Sequence, residues 1–282
     1  MKRVCPILVL ICLPLWPAGC RTPGKQKPVW EQVKISDLAP PPNNQRATSG
    51  LLKTINFDVH IIEMPADKIG ELDAVWRVLR TQPLRLGGYR AFLDNLFRAG
   101  FGQIGLARGI YDSVRYAGGR EVATISLLLT DGQANDLTVA ELNAEQTISF
   151  VSGKGARQKA TIGPGVLVLR IKAEKVPQSR GVCQFIACPV FTLPITSSIP
   201  EFTARAKARE FVFDGAAFGT RMSLGDLVLL GPASYNSDQS TLGGLFFSKP
   251  QGTLFFGTTE HKRPERRPAV RLFLLVCTGI ND

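Results

Sequence analysis

The second half of this chain is cut into short apolar runs by glycine- and proline-rich turns, and that texture most constrains its fold. From Glu121 onward, residues 122–129, 146–151, 165–176, 182–193, 210–213, 227–230, 242–247, 252–256 and 270–277 have strand length and β-branched or aromatic content. Turn chemistry separates them at Asp131 and Gly132, at Gly153, Lys154 and Gly155, at Gly163, Pro164 and Gly165, and at Gly231 and Pro232. Pro189 is expected to break or bend the run it sits in, and Gly243 with Gly244 to mark a bulge. Many short strands with such turns indicate a sandwich, a barrel or a large antiparallel sheet.

The preceding segment has a different period. Residues 55–64, INFDVHIIEM, alternate as a strand. After Pro65 the apolar residues Ile69, Leu72, Val75, Trp76 and Leu79 fall at helical spacing. A second helix is expected over 89–98, with Phe92, Leu93, Leu96 and Phe97 on one face and Gly100 ending it. Residues 102–116 read as a short amphipathic or irregular segment, and 194–208 as a long loop or short helix. The expected class is α+β, dominated by β: two N-terminal helices packed on a largely antiparallel sheet, sandwich or barrel-like. With 282 residues and 44% hydrophobic content, a single β-rich globular domain over 51–282 has enough apolar side chains for a sizeable core.

What lies before residue 51 has another character. Lys2 and Arg3 precede an uncharged apolar run over 4–16, too short for a membrane-spanning helix, which needs about 20 apolar residues. The run ends in Pro17, Ala18, Gly19 and Cys20. Small residues before a cysteine resemble the lipobox of bacterial lipoproteins, with Pro17 where that family usually has Leu. The resemblance implies a signal peptide over 1–19, removed on export, and diacylglycerol and a further acyl chain (palmitate-type lipid) on Cys20. Each buried methylene contributes about 0.8 kcal/mol, and stable anchoring takes about two chains. Arg21 stands where Asp retains lipoproteins in the inner membrane of well-studied Gram-negative bacteria, so the outer membrane is the implied address in the cell envelope. Residues 20–50 carry Pro23, Pro28, Pro40, Pro41 and Pro42, and read as a tether; thirty coil residues span roughly 30 Å r.m.s..

The chemical inventory is sparse. Lys and Arg number 34 against 23 acids, a net charge of +11, which suits anionic partners. An exported address turns that from nucleic acid toward anionic lipid heads or an envelope polymer. Lys262, Arg263, Arg266 and Arg267, beside His261 and two prolines, form a basic loop that either contacts such an anion or guards the edge of the apolar strand that follows. Lys154, Arg157 and Lys159 make a basic hairpin tip without the P-loop pattern. His60 shares a strand face with Asp58, whereas Glu63 points to the other side, so three convergent metal donors are not in view. No GxSxG elbow occurs. Residues 131–136, DGQAND, open like a calcium loop, but Leu142 occupies the place of the closing Glu. No cofactor or metal is implied.

Outside the signal and Cys20, the cysteines are Cys183, Cys188 and Cys277. An exported protein can form disulfides. On one straight strand Cys183 and Cys188 face opposite sides, so a bridge between them requires a turn; either can pair with Cys277, or all three remain buried thiols.

Several pieces resemble the core domain of bacterial secretins, the outer-membrane channels of secretion and pilus systems. They are IIE at 61–63, LLLTDGQA at 127–134, DG at 214–215, GGL at 243–245 and the closing apolar strand over 272–277. The Val-Gly…Pro gate stretch of that family is not evident. Three functions follow as expectations. The first is a lipid-anchored, non-catalytic binding or scaffolding protein of the envelope, with protein partners or a homo-oligomer. The second, implied by the resemblance, is an oligomeric secretion component. The third is an exported enzyme whose site is assembled in space around His60.

Overall fold

The computed structural model describes residues 53–193, 209–236, 238–248 and 268–281. All belong to one compact unit, Gly50–Asp282. The signal, Cys20, the tether, the 194–208 segment, the expected strand at 252–256 and the basic loop at 261–267 lie outside the described residues.

The class is α+β, dominated by antiparallel β structure. In chain order the elements are β1 (Thr54–Pro65), a 3-10 turn (Ala66–Leu72), α1 (Asp73–Val78), β2 (Arg85–Leu86), α2 (Tyr89–Asp94), β3 (Phe97–Gln103), a 3-10 turn (Ile104–Leu106), α3 (Ala107–Tyr116), β4 (Arg120–Thr130) and β5 (Ala134–Leu142). They continue with β6 (Gln146–Val151), β7 (Arg157–Ile162), β8 (Gly165–Lys175), β9 (Val182–Thr192), β10 (Phe211–Val212), a 3-10 turn (Asp214–Ala216), β11 (Phe218–Ser223), β12 (Asp226–Pro232), α4 (Leu242–Phe247) and β13 (Ala269–Asn281). A five-stranded sheet runs β3-β12-β13-β1-β4. A six-stranded sheet runs β2-β11-β9-β8-β5, with β10 also on β9. β6 and β7 form a separate hairpin.

The five-stranded sheet is covered on both faces, which explains its most apolar strand. On β13, Phe273, Leu275 and Cys277 join Ile55, Phe57, Val59, Val228 and Leu230 in a core shared with Leu167, Leu169, Ile171, Cys183 and Phe185 of the other sheet. The alternate residues Leu272, Leu274 and Val276 join Leu227, Leu229, Ile62 and Met64 under a helical layer of Leu72, Val75, Trp76, Leu79, Ile110 and Val114. A strand buried on both faces loses the polar half of its alternation. The layers are therefore helices, five-stranded sheet, six-stranded sheet. The stripe expected at Leu72, Val75, Trp76 and Leu79 faces the sheet, with Ile69 packed at its margin.

Several elements differ from their sequence reading. Residues 242–247 form a helix, not a strand with a bulge: Thr241 caps it by accepting a hydrogen bond from the Gly244 N–H at 3.2 Å. Its glycines serve close approach, since a Cβ on Gly243 would lie 2.3 Å from the Asn95 carbonyl oxygen and one on Gly244 2.1 Å from that of Asp238. The second helix stops at Asp94, and Leu96 turns the chain with φ 67°. Phe97 and Arg98 then begin β3, where Gly100 lies under Leu79 rather than ending a helix. Pro189 does not break β9. Its carbonyl accepts from the Phe213 N–H on the β10 and β11 side. In an antiparallel ladder a residue's N–H and C=O point the same way. The missing donor therefore falls between the end of the β11 pairing at Ala187 and the start of the β10 pairing at Val190.

Candidate functional site

A polar cluster lies where β1 and β4 pair beneath α3. Register sets His60 opposite Thr124 and Asp58 opposite Ser126. His60 Nδ1 lies 3.1 Å from both Glu121 Oε1 and Thr124 Oγ1, and Thr124 donates a short hydrogen bond to Glu121. Ser126 donates to Asp58 at 2.6 Å. From α3 the Tyr111 ring meets His60 edge-on, with centroids 5.9 Å apart.

The electrostatics follow from that packing. Burial works to raise the Glu121 carboxyl, but hydrogen bonds from Thr124 and His60, with the charge of His60, outweigh it and hold the group below the usual carboxylate range. The Tyr111 hydroxyl is buried without a hydrogen bond of normal geometry. Burial, then the neighbouring Glu121 charge, push its pKa well above the ordinary phenol value.

A histidine oriented by a carboxylate is the arrangement of a general base. Here the two aliphatic hydroxyls are committed elsewhere, Thr124 to Glu121 and Ser126 to Asp58, and the third, the Tyr111 phenol, is buried and held in its neutral form. Among the described residues, no group of three or more His, Cys, Asp and Glu side chains is placed to hold a metal. Glu63 points to the opposite face, as its parity requires. It is 3% exposed and pairs with Arg271, its register partner, at 3.3 Å. Arg271 also donates to the Val139 carbonyl at 2.9 Å. This ion pair floors an open cleft of about 590 Å³ bordered by Ile61, Arg120, Glu121 and Ala123. A second open cleft, about 640 Å³, lies at one end of the six-stranded sheet between Leu142, Pro164, Val166 and Leu193.

The remaining sequence candidates resolve individually. The turn at Asp131 joins the two sheets: its side chain accepts from the Lys175 N–H at 2.7 Å, and Gly132, at φ 78°, donates to the Ala173 carbonyl. The β6–β7 tip exposes Lys154, Arg157 and Lys159, while the Gly153 N–H is held by Asp214 at 3.0 Å. Cys183, Cys188 and Cys277 are all free thiols. Cys183 and Cys277 face each other in the inter-sheet core. Cys188 faces outward, in register with Arg170, its thiol directed at the Pro189 and Phe213 carbonyls. Burial and then the Asp214 charge push the Cys188 thiol up to about 12, Arg170 partly opposing them.

Sequence reasoning missed Glu121, Thr124 and Tyr111 as neighbours of His60, and Arg271 as the partner of Glu63. The first three stand 50 to 65 positions away: strand register brings in Glu121 and Thr124, and the packing of α3 on the sheet brings in Tyr111. It missed equally Arg170, which chelates Asp136 through two hydrogen bonds of 2.7 Å and Glu210 through bonds of 2.6 and 3.0 Å. That network on the outer face clasps β5, β8 and the approach to β10. Compared with protein-family models, curated proteins and solved structures, the chain matches none.

Proposed function

We propose that this protein is a lipid-anchored protein of the bacterial envelope whose sandwich domain is a non-catalytic binding or scaffolding module. The observation that carries the reading is the N-terminal stretch: Lys2 and Arg3, an uncharged run of signal length, and small residues leading to Cys20. Acyl chains on Cys20 supply the membrane attachment. The commitment of Ser126 and Thr124 to carboxylates supports a structural rather than nucleophilic role for the cluster around His60. Its partners are anionic, a lipid headgroup or envelope polymer met by the exposed Lys154, Arg157 and Lys159 and by Lys262, Arg263, Arg266 and Arg267.

Labelled palmitate fed to bacteria making the protein tests the anchor. The wild-type chain takes up label and sediments with membranes, and Cys20→Ala takes up none. Equal labelling of the two chains sinks the reading.

A further inference from the structure

Cys183 and Cys277 approach each other from opposite sheets. Cys183 lies near the start of β9, on the inward parity of Phe185 and Ala187. Cys277 lies on β13, inward with Phe273 and Leu275, and both cysteines are fully buried. Immediately beyond Cys277 the register slips: Phe57 pairs with Cys277, but Asn56 pairs with Gly279, so Thr278 is the extra residue of a bulge. A bulge bends its strand and re-aims the adjoining side chains, here at the point where the thiol reaches across the core. Phe57, the register partner of Cys277, meets Phe185, two residues along β9 from Cys183, with ring centroids 5.2 Å apart, which sets the two thiols as neighbours across the core. The neighbouring Cys277 thiol, with burial adding to it, pushes the Cys183 thiol above the ordinary cysteine range, and Cys183 in turn holds Cys277 below it. Cys188 stays on the outer face with its own carbonyl partners.

We propose that Cys183 and Cys277 form a disulfide site, closed in an oxidising compartment as a single covalent tie between the six-stranded and five-stranded sheets. The pairing rests on the core geometry alone; its occurrence in the cell rests on the export reading above. The oxidant is a disulfide, that of oxidised glutathione or of a dithiol oxidoreductase. One Sγ–Sγ bond forms in the protein, one disulfide bond of the oxidant breaks, and the two protons and two electrons leave on the oxidant's thiols. Because neither thiol is exposed in the folded chain, exchange takes place before the sheets close.

The test is oxidative refolding. The full chain is reduced, unfolded and refolded in mixed oxidised and reduced glutathione. Remaining thiols are then alkylated under denaturing conditions, and the chain is cut with chymotrypsin, which cleaves after Phe185 and so separates Cys183 from Cys188. The expected product links the Cys183 and Cys277 peptides, two hydrogens lighter than the separate thiols, with Cys188 alkylated. The Cys188→Ala chain gives the same link. Alkylation of Cys183, Cys188 and Cys277 alike, or a link from Cys183 or Cys277 to any other cysteine, overturns the pairing and leaves the Cys20 anchor standing. Protein taken from cells with its thiols trapped at lysis is read in the same way. A chain that links on refolding yet is reduced in cells overturns the cellular half of the proposal, and palmitate labelling of Cys20 in the same sample decides whether the export reading fails with it.

Discussion

Asn95 is a buried polar clasp whose removal has a calculable cost. It is 4% exposed and ends α2. Its side-chain nitrogen donates to the Ala91 carbonyl at 2.9 Å and the Val151 carbonyl at 2.7 Å, and its oxygen accepts from the Val151 N–H at 2.8 Å. In Asn95→Ala the Ala91 carbonyl keeps its bond from the Asn95 backbone N–H. The buried Val151 N–H and C=O each lose this partner, at about 1–3 kcal/mol apiece. The expected loss is about 2–6 kcal/mol, a large part of the roughly 5–15 kcal/mol that stabilises a typical domain. With a urea slope of about 3 kcal/mol/M, the unfolding midpoint falls by roughly 0.7–2 M. Hydrogen exchange at Val151 rises with it, since this clasp fastens the β6–β7 hairpin to the sandwich. Thr147→Ala, which removes an exposed hydroxyl from the same hairpin, shifts stability by no more than about 0.5 kcal/mol. An Asn95→Ala chain within that same margin, at unchanged slope, refutes the reasoning.

Two other sites give opposed or pH-dependent effects. Gly243→Ala forces a Cβ to within 2.3 Å of the Asn95 carbonyl oxygen and is expected to cost about 1–3 kcal/mol. Gly109→Ala, at an exposed position of α3 with nothing within 4 Å of the new Cβ, stabilises by about 0.5–1 kcal/mol; thermal melts of the pair should move in opposite directions. The Glu121 carboxyl is held low in the folded state. Its contribution is therefore present above the unfolded glutamate pKa and lost as pH falls through the lower folded value. Urea titrations across the acid range should show wild type and Glu121→Gln differing at neutral pH and converging below the usual carboxylate range; a gap that widens on acidification contradicts the sign.

The sequence showed the β-rich class, the turns and the helical stripe because those depend on local pattern. β1, β8 and β13 read correctly since their apolar content exceeds any competing signal. Five strands were invisible for identifiable reasons, β2 because two residues carry no period. β5 carries a bulge between Thr138 and Ala140 that breaks its alternation. β7 is exposed along most of its length and needs no apolar face. β3 contains Gly100 and Gly102 because Leu79 presses on both, and β11 contains Gly219 against the Phe185 carbonyl. The apolar 242–247 run has no period of its own, being buried all round; only Thr241, as a capping residue, hinted at helix. The cluster around His60 was half legible. Asp58 and His60 share a face by parity, but Thr124 and Glu121 arrive through register across 64 and 61 positions. The cysteines show the same limit: parity separated Cys183 from Cys188, and only the packing of two sheets brought Cys183 to Cys277.

The proposed attachment at Cys20 carries the functional account, and the mass of the mature N-terminus tests it most directly. Protein extracted from the membrane fraction of expressing bacteria should begin at Cys20, lack residues 1–19, and carry a diacylglyceryl group on the thiol with a further acyl chain on the new amino group. A chain that begins at Met1, or one cut elsewhere with an unmodified Cys20 and found in the soluble fraction, contradicts it.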